Sequence, residues 1–264
     1  MNSAARWSGI AACASMLLLV RTSAAVRPEE TEVWTPVPPV VTPERPKVSA
    51  PPSDAIVLFD GTNLDQWVNT NDGSPAGWKL ADHTMVVVKA AGNIETRRRF
   101  RDYQLHLEWR VPADVTGSGQ ARGNSGVFLA STGKGDRGYE LQILDSYRNE
   151  TYVNGMAGSI YKQSPPLVNA SRKPGEWQSY DVWWNAPRFG PDGALVSPAR
   201  VTVHLNGVVV QSAFALEGET VYIGTPAYTA HGDSPIKLQA HNDPSAPLSF
   251  RNIWVRVLPG TPLN

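Results

Sequence analysis

The stretch Tyr103-Gln104-Leu105-His106-Leu107-Glu108-Trp109-Arg110-Val111 decides the fold class. Tyr103, Leu105, Leu107, Trp109 and Val111 fall at every second position, with Gln104, His106, Glu108 and Arg110 between them. Successive side chains of a strand point to opposite faces, so this period of two predicts a strand with one dry and one polar face. The same alternation, bounded by Gly, Pro, Asn or Asp, recurs in Thr84–Lys89, Ser125–Ala130, Tyr139–Leu144, Ser179–Asn185, Ala199–Leu205, Val208–Ser212, Ile236–His241 and Phe250–Leu258. Asn206-Gly207 separates two of these runs and predicts a two-residue hairpin. No stretch long enough for a crossover helix carries the helical period without a Pro or Gly, which argues against a parallel sheet. The expectation is therefore all-β: an antiparallel sandwich of jelly-roll kind, or a barrel.

Composition narrows the partners. The 264 residues carry 24 basic and 24 acidic side chains, for no net charge, and a nucleic-acid binder needs a cationic surplus. Nine Trp and eight Tyr suit a strand-rich protein with aromatic surface. Cys13 is the only cysteine, so no disulfide framework supports the fold.

The ends read differently from the middle. Residues 1–25 have Arg6, then an apolar run from Ile10 to Val20, then Ser23-Ala24-Ala25, the order of a cleavable signal peptide with Val26 as the mature start. The run is shorter than the ~20 residues a bilayer span needs. The expectation is an exported, periplasmic or extracellular protein, with membrane association only if the leader stays uncleaved or is lipidated at Cys13 in the lipobox-like Ile10-Ala11-Ala12-Cys13. Residues 26–53 hold Pro28, Pro36, Pro38, Pro39, Pro43, Pro46, Pro51 and Pro52 and read as an extended linker. Residues 54–260 then form one domain.

The polar faces carry the functional signal. Glu140 and Gln142 share one face of their strand, and Gln239 and His241 share one face of theirs. If these strands join the sheet of Glu108 and Arg110, the stripes merge into one patch. Glu, Gln, His, Asn and Arg near Tyr161, Trp177, Trp183 and Trp184 offer planar hydrogen-bonding groups and aromatic rings, the two things a sugar binds. Glu140, Gln142 and Asp145 lie at i, i+2 and i+5, and a bulge would bring Asp145 beside the other two. A carboxyl pair flanking a glycosidic bond is one route to cleavage. The spacing is similar to the Glu-x-Asp-x-x-Glu strand of laminarinase-like glycosidases, but Gln142 replaces its Asp and the shorter Asp145 its last Glu. His231, Asp233, His241 and Asp243 could hold a divalent ion, but four such residues near a turn are more often turn-formers and surface groups.

Several blocks in order resemble the 3-keto-disaccharide hydrolase domain family. They include Leu58-Phe59-Asp60-Gly61-Thr62-Asn63-Leu64, Asn124-Ser125-Gly126-Val127-Phe128-Leu129, Tyr139-Glu140-Leu141-Gln142-Ile143-Leu144-Asp145-Ser146, Pro174-Gly175-Glu176-Trp177 and Phe250-Arg251-Asn252-Ile253-Trp254. The resemblance implies a concanavalin A-like, laminarinase-like β-jelly-roll sandwich of two antiparallel sheets. It also implies an oxidised 3-keto disaccharide or glycoside as substrate. A ketone at carbon 3 acidifies the carbon 2 proton, so cleavage can run by elimination and hydration with a base, an acid and an enolate stabiliser. On that reading Glu140 and His241 are base and acid in either order, with Asp145 a third carboxyl or a strand-end cap. Gln142 and Gln239 orient the sugar, Glu108, Arg110 and Asn124 are adjacent contacts, and Tyr161 and Lys162 lie on a loop lip. No cofactor is required for certain, and a divalent cation is a candidate enolate stabiliser. The competing readings are a non-catalytic carbohydrate-binding module and a conventional laminarinase-like hydrolase.

Overall fold

Dry faces have to meet, and here they meet across two sheets. The computed structural model describes residues 26–45 and 50–258; residues 1–25, on which the signal-peptide expectation falls, lie outside them. The strands are β1 Ile56–Phe59, β2 Trp67–Asn69, β3 Lys79–Ala81, β4 Thr84–Val86, β5 Ile94–Thr96, β6 Tyr103–Arg110, β7 Ser125–Ser131 and β8 Gly138–Ile143. After them come β9 Gln178–Asn185, β10 Arg188–Phe189, β11 Leu195–Ser197, β12 Arg200–Leu205, β13 Val208–Ala215, β14 Lys237–Leu238 and β15 Ser249–Val257. The large sheet runs β13-β12-β9-β6-β15-β4-β3 with β1 also on β15, the small one that faces it runs β2-β5-β14-β7-β8, and β10 and β11 pair by themselves. Pairing between these strands is antiparallel, and the only helical turns among the described residues are short 3-10 turns. The β12–β13 hairpin turns at Asn206 and Gly207, both at positive φ (55° and 82°), as a two-residue turn of that handedness requires. Among the described residues no helix is long and apolar enough to cross a membrane.

The core forms between the sheets. Tyr103, Leu105, Leu107 and Trp109 of β6 pack in it with Tyr180, Val182 and Trp184 of β9 and with Val127, Tyr139, Leu141 and Ile143 of β7 and β8. Three buried aromatic donors join the two layers. Trp67 Nε1 donates to Leu58 O at 2.9 Å, Tyr103 Oη to Leu129 O at 2.5 Å and Tyr180 Oη to Gln142 O at 2.5 Å. An aromatic ring supplies the apolar bulk, while its polar tip satisfies a carbonyl on the far sheet.

Because β6 belongs to the large sheet and β8 and β14 to the small one, their outward polar stripes do not merge. Glu140 and Gln142 share an outer face with Gln239, while Glu108 and Arg110 face away on the opposite side of the sandwich. Residues 26–45 lie along the domain. Val153 N donates to Val33 O at 2.6 Å, Val41 N to Asn169 O at 3.0 Å and Asn169 N to Pro39 O at 2.9 Å. Pro38 is buried and Trp34 meets Tyr152 edge to face at 6.2 Å. Residues 26–45 are thus a docked strap that opens with a 3-10 turn at Pro28–Thr31.

Removing one cross-core donor tests its weight. Tyr180→Phe should lower unfolding stability by about 1–2 kcal/mol with strand content unchanged, read by urea denaturation and circular dichroism.

Candidate functional site

On the outer face of the small sheet lies a hollow of ≈ 380 Å³ lined by Asn124, Asp136, Glu140, Gln142, Tyr161, Thr220, Tyr222, Gln239 and His241. Its floor is β8. Alternation puts Tyr139, Leu141 and Ile143 in the core, so Glu140 and Gln142 must face out. Beside them β7 supplies Gly126, whose missing side chain is the space the Glu140 carboxyl occupies; a Cβ there would collide with Glu140 Oε1. Only glycine permits that approach.

Glu140 is 5% exposed. Its backbone is tied down, N–H to Thr220 Oγ1 at 2.9 Å and carbonyl from Tyr161 N at 3.1 Å. Its carboxyl has no hydrogen-bond or ion-pair partner among the described residues. Burial, aided by the Asp136 charge and opposed by Lys237, pushes it up to about 8. Lys237 does not pair with it directly: its ammonium donates to the carbonyls of Gly133, Gly135 and Arg137 at 2.8 Å each, pinning the loop that carries Asp136.

Amides surround the carboxyl. Gln142 Nε2 donates to Asn124 Oδ1 at 2.9 Å, and Asn124 Nδ2 donates to Gln120 O at 2.8 Å. Gln239 Oε1 is buried with no partner among the described residues, an open acceptor beside the hollow. Tyr161 Oη meets Tyr152 Oη at 2.7 Å, and burial lifts both phenols, Tyr152 to about 12. His241 is half-exposed, with Nδ1 3.3 Å from Asp243 Oδ2. Burial pushes Asp243 up, but hydrogen bonds from His241 and Ser245 outweigh it and hold the carboxyl at about 2.

Three residues expected at the site stand elsewhere, and a fourth is in place but already engaged. Asp145 ends its strand in a loop: Oδ2 lies 2.7 Å from Arg122 Nε, and Oδ1 accepts Tyr147 N at 3.1 Å. It is the strand-end cap, because no bulge turns it back beside Gln142. Glu108 and Arg110 lie across the sandwich, since β6 pairs with β9 and β15. Lys162 is on the lip, but its ammonium is spent on Pro28 O, Thr31 Oγ1 and Tyr222 O at 2.9 Å each. Asp136, Thr220 and Tyr222 escape sequence reasoning, because they sit in loops without a period. The one signal for them is Val221-Tyr222-Ile223, an apolar triplet isolated between Gly218 and Gly224.

A second hollow of ≈ 590 Å³ lies over His106, Glu108, Trp177, Asp181 and Arg251 on the large sheet. Its charges are matched. His106 Nδ1 is 2.7 Å from Asp181, Arg251 Nη2 is 2.6 Å from Glu108, and Trp177 stacks between Arg110 and Arg251 at 4.6 and 4.1 Å. Burial opposes ionisation of both His106 and Glu108. Even so, the hydrogen bonds that His106 donates to Asp181 and Glu108 raise it to about 9, and those that Glu108 accepts from His106, Asn252 and Arg251 hold it at about 2. A network that fixes its groups in their charged forms has little capacity for proton transfer, whereas Glu140 is poised near neutrality. Among the described residues no group of three or more His, Cys, Asp or Glu side chains converges as a metal site; His231 instead meets Tyr139 Oη at 3.0 Å and Asp233 pairs with Arg101.

Comparison with known proteins gives a family and a shared fold. Residues 54–256 match the model of the 3-keto-alpha-glucoside-1,2-lyase-like domain. The crystal structure of a candidate glycosyl hydrolase from Parabacteroides distasonis ATCC 8503 is 50% identical, with a TM-score of 0.76 over 87% of this chain and 96% of that one. Two further candidate glycosyl hydrolases from the same organism share the fold. One is 20% identical (TM-score 0.56, covering 78% of this chain and 94% of that one) and the other 22% identical (0.54, 77% and 99%). No curated protein matches the chain.

The buried carboxyl makes a stability prediction. Glu140 binds its proton up to about pH 8 in the folded chain, while an unfolded Glu releases it near its ordinary value of 4.5. Holding it unpaired therefore costs stability increasingly as pH rises through that window. Glu140→Gln should be more stable than the parent by a few kcal/mol at pH 9, and the gain should vanish at pH 4, by urea denaturation.

Proposed function

Because the chain belongs to the 3-keto-alpha-glucoside-1,2-lyase-like family, we propose that it is an enzyme cleaving 3-keto-glycosides, 3-keto-disaccharides included, in the hollow over Glu140. The family and the half-identical neighbour support action on glycosides. The observation that carries the finer reading is the buried Glu140 carboxyl, unpaired among the described residues and raised to about 8.

An ordinary carboxylate is a weak base for a carbon acid. One held near 8 by burial is stronger and still half ionised at that pH. Glu140 takes the proton from carbon 2. The electron pair left behind forms the carbon 1–carbon 2 double bond, conjugated with the carbon 3 ketone, and the carbon 1–oxygen bond breaks. The aglycone leaves as an alcohol with a proton from His241, which is half-exposed and stands on the same rim. Water then adds at carbon 1, a proton returns to carbon 2, and the free 3-keto sugar is released. The open acceptor Gln239 Oε1 takes a sugar hydroxyl, and Gln142, held by Asn124, fixes a second polar contact on the floor. No carboxylate nucleophile is needed, which accounts for Gln142 between Glu140 and the displaced Asp145.

The decisive assay sets 3-keto-trehalose beside trehalose. Release of 3-keto-glucose from the oxidised sugar alone is expected, with kcat/KM rising with pH toward about 8 as Glu140 ionises. Glu140→Gln should lower kcat about 10²–10⁴-fold. Equal cleavage of both sugars would indicate conventional hydrolysis, and binding without turnover a carbohydrate-binding module.

The same proposal includes export to the periplasm or beyond, supported by the leader pattern of residues 1–25. N-terminal sequencing of the protein secreted by a bacterial host should begin at Val26.

A further inference from the structure

The loop that brings Thr220 and Tyr222 to the hollow is pinched at its neck. Glu219 N donates to Ala227 O at 2.9 Å, and Gly218 passes so close to Ala227 that a Cβ would not fit. Beyond the neck the tip is apolar and open: Tyr222 is 60% exposed and Ile223 45%. A tyrosine this exposed has not been placed by core burial. What holds it is Lys162, whose Nζ donates to Tyr222 O and lies 4.5 Å from the centre of the Tyr222 ring.

Lys162 is itself over-determined. Its remaining donors go to Pro28 O and Thr31 Oγ1 of the strap, and its own N–H donates to Asn154 O at 2.8 Å. Its φ of 58° is a left-handed conformation that a lysine keeps only where surrounding contacts impose it. The strap is fixed in turn by Asn154, which accepts from Val33 N and donates to Thr31 O at 2.9 Å each. Lys162 thus joins three separate segments, the strap, its own turn and the Tyr222 loop, at the mouth of the hollow.

We infer that Tyr222 is the platform on which the leaving sugar stacks, and that Lys162 and the strap hold it in position. The inference rests on the glycoside-cleaving reading of the Glu140 hollow. The sugar that yields its carbon 2 proton must sit deep, at Glu140. Whatever is attached through carbon 1 then points to the rim, where Tyr222 and half-exposed His241 line the same cavity. A pyranose has a face of C–H groups that an aromatic ring attracts, and a small alcohol such as methanol has none. The structure therefore selects a disaccharide-like substrate over a simple alkyl glycoside. Tyr222 is a specificity-determining residue and Lys162 a positioning residue that acts through it.

The test is a ratio, kcat/KM for 3-keto-trehalose over kcat/KM for methyl 3-keto-α-glucoside. Tyr222→Ala should lower it about tenfold, while Tyr222→Phe, which keeps the ring, stays within about twofold of the parent. Lys162→Met should lower the ratio in the same direction, and Lys162→Arg should restore part of it. A ratio unchanged in both Tyr222→Ala and Lys162→Met overturns the inference. If the parent cleaves neither substrate, the glycoside-cleaving reading has failed on its own account. The platform is then tested by calorimetric binding of unoxidised trehalose against methyl α-glucoside. A preference for trehalose that Tyr222→Ala abolishes upholds it, and no preference overturns it.

Discussion

The arrangement depends on how firmly one face of β8 is buried. Tyr139, Leu141 and Ile143 are fully removed from water, and the Tyr180 hydroxyl fastens the intervening Gln142 carbonyl from the opposite sheet. Burying side chains of that size is worth about 1.5–3 kcal/mol each, and a slip of one residue would expose all of them at once. The alternate positions are therefore fixed outward whatever their chemistry. Glu140 occupies one of them, in a place where Gly126 gives it room and no cation among the described residues pairs with it directly. The core supplies the free energy that keeps an unfavourable group where it is.

Two glutamates show how little residue type decides. Glu108 lies on β6, inside the large sheet, and Glu140 on β8, the last strand of the small one; both are next to apolar core positions, and both are less than 10% exposed. Arg251, Asn252 and His106 surround Glu108 and hold it at about 2 against its burial, whereas the Glu140 carboxyl is buried with no partner among the described residues, feels the like charge of Asp136 and rises to about 8. The first is part of a saturated ionic network that joins β6, β9 and β15. The second can exchange a proton near neutral pH. The difference between them lies in the missing partner.

Alternation in the long runs makes β6, β8, β9, β12 and β15 legible in the sequence, and with them the outward direction of Glu140, Gln142 and Gln239. It does not say which sheet each strand joins, because pairing is set by contacts between residues far apart in the chain. That is why Glu108 and Arg110 read as neighbours of Glu140 and stand on the other side of the molecule. The short strands β2, β3, β5, β10 and β11 span too few residues to establish a period. The run Ile236–His241 forms a ladder only over Lys237 and Leu238, since its last residues turn outward toward the Asp243 turn. Asp145 has the spacing of a catalytic carboxyl; its partner Arg122 lies 23 positions earlier and is invisible to a spacing argument. Prolines identify the strap as extended, but its docking depends on single polar contacts from Asn154, Lys162 and Asn169 that leave no pattern.

The strap also sets an order in time. It precedes its partners during synthesis, and Asn154 and Lys162 follow the residues they bind by 121–134 positions. Closing a loop of that length costs chain entropy, and the contacts that offset it exist only once the sandwich has formed. Two of the contacts that fix Lys162 beside Tyr222 come from the strap, so a chain whose sandwich has formed but whose strap is undocked has a complete core and an incomplete mouth.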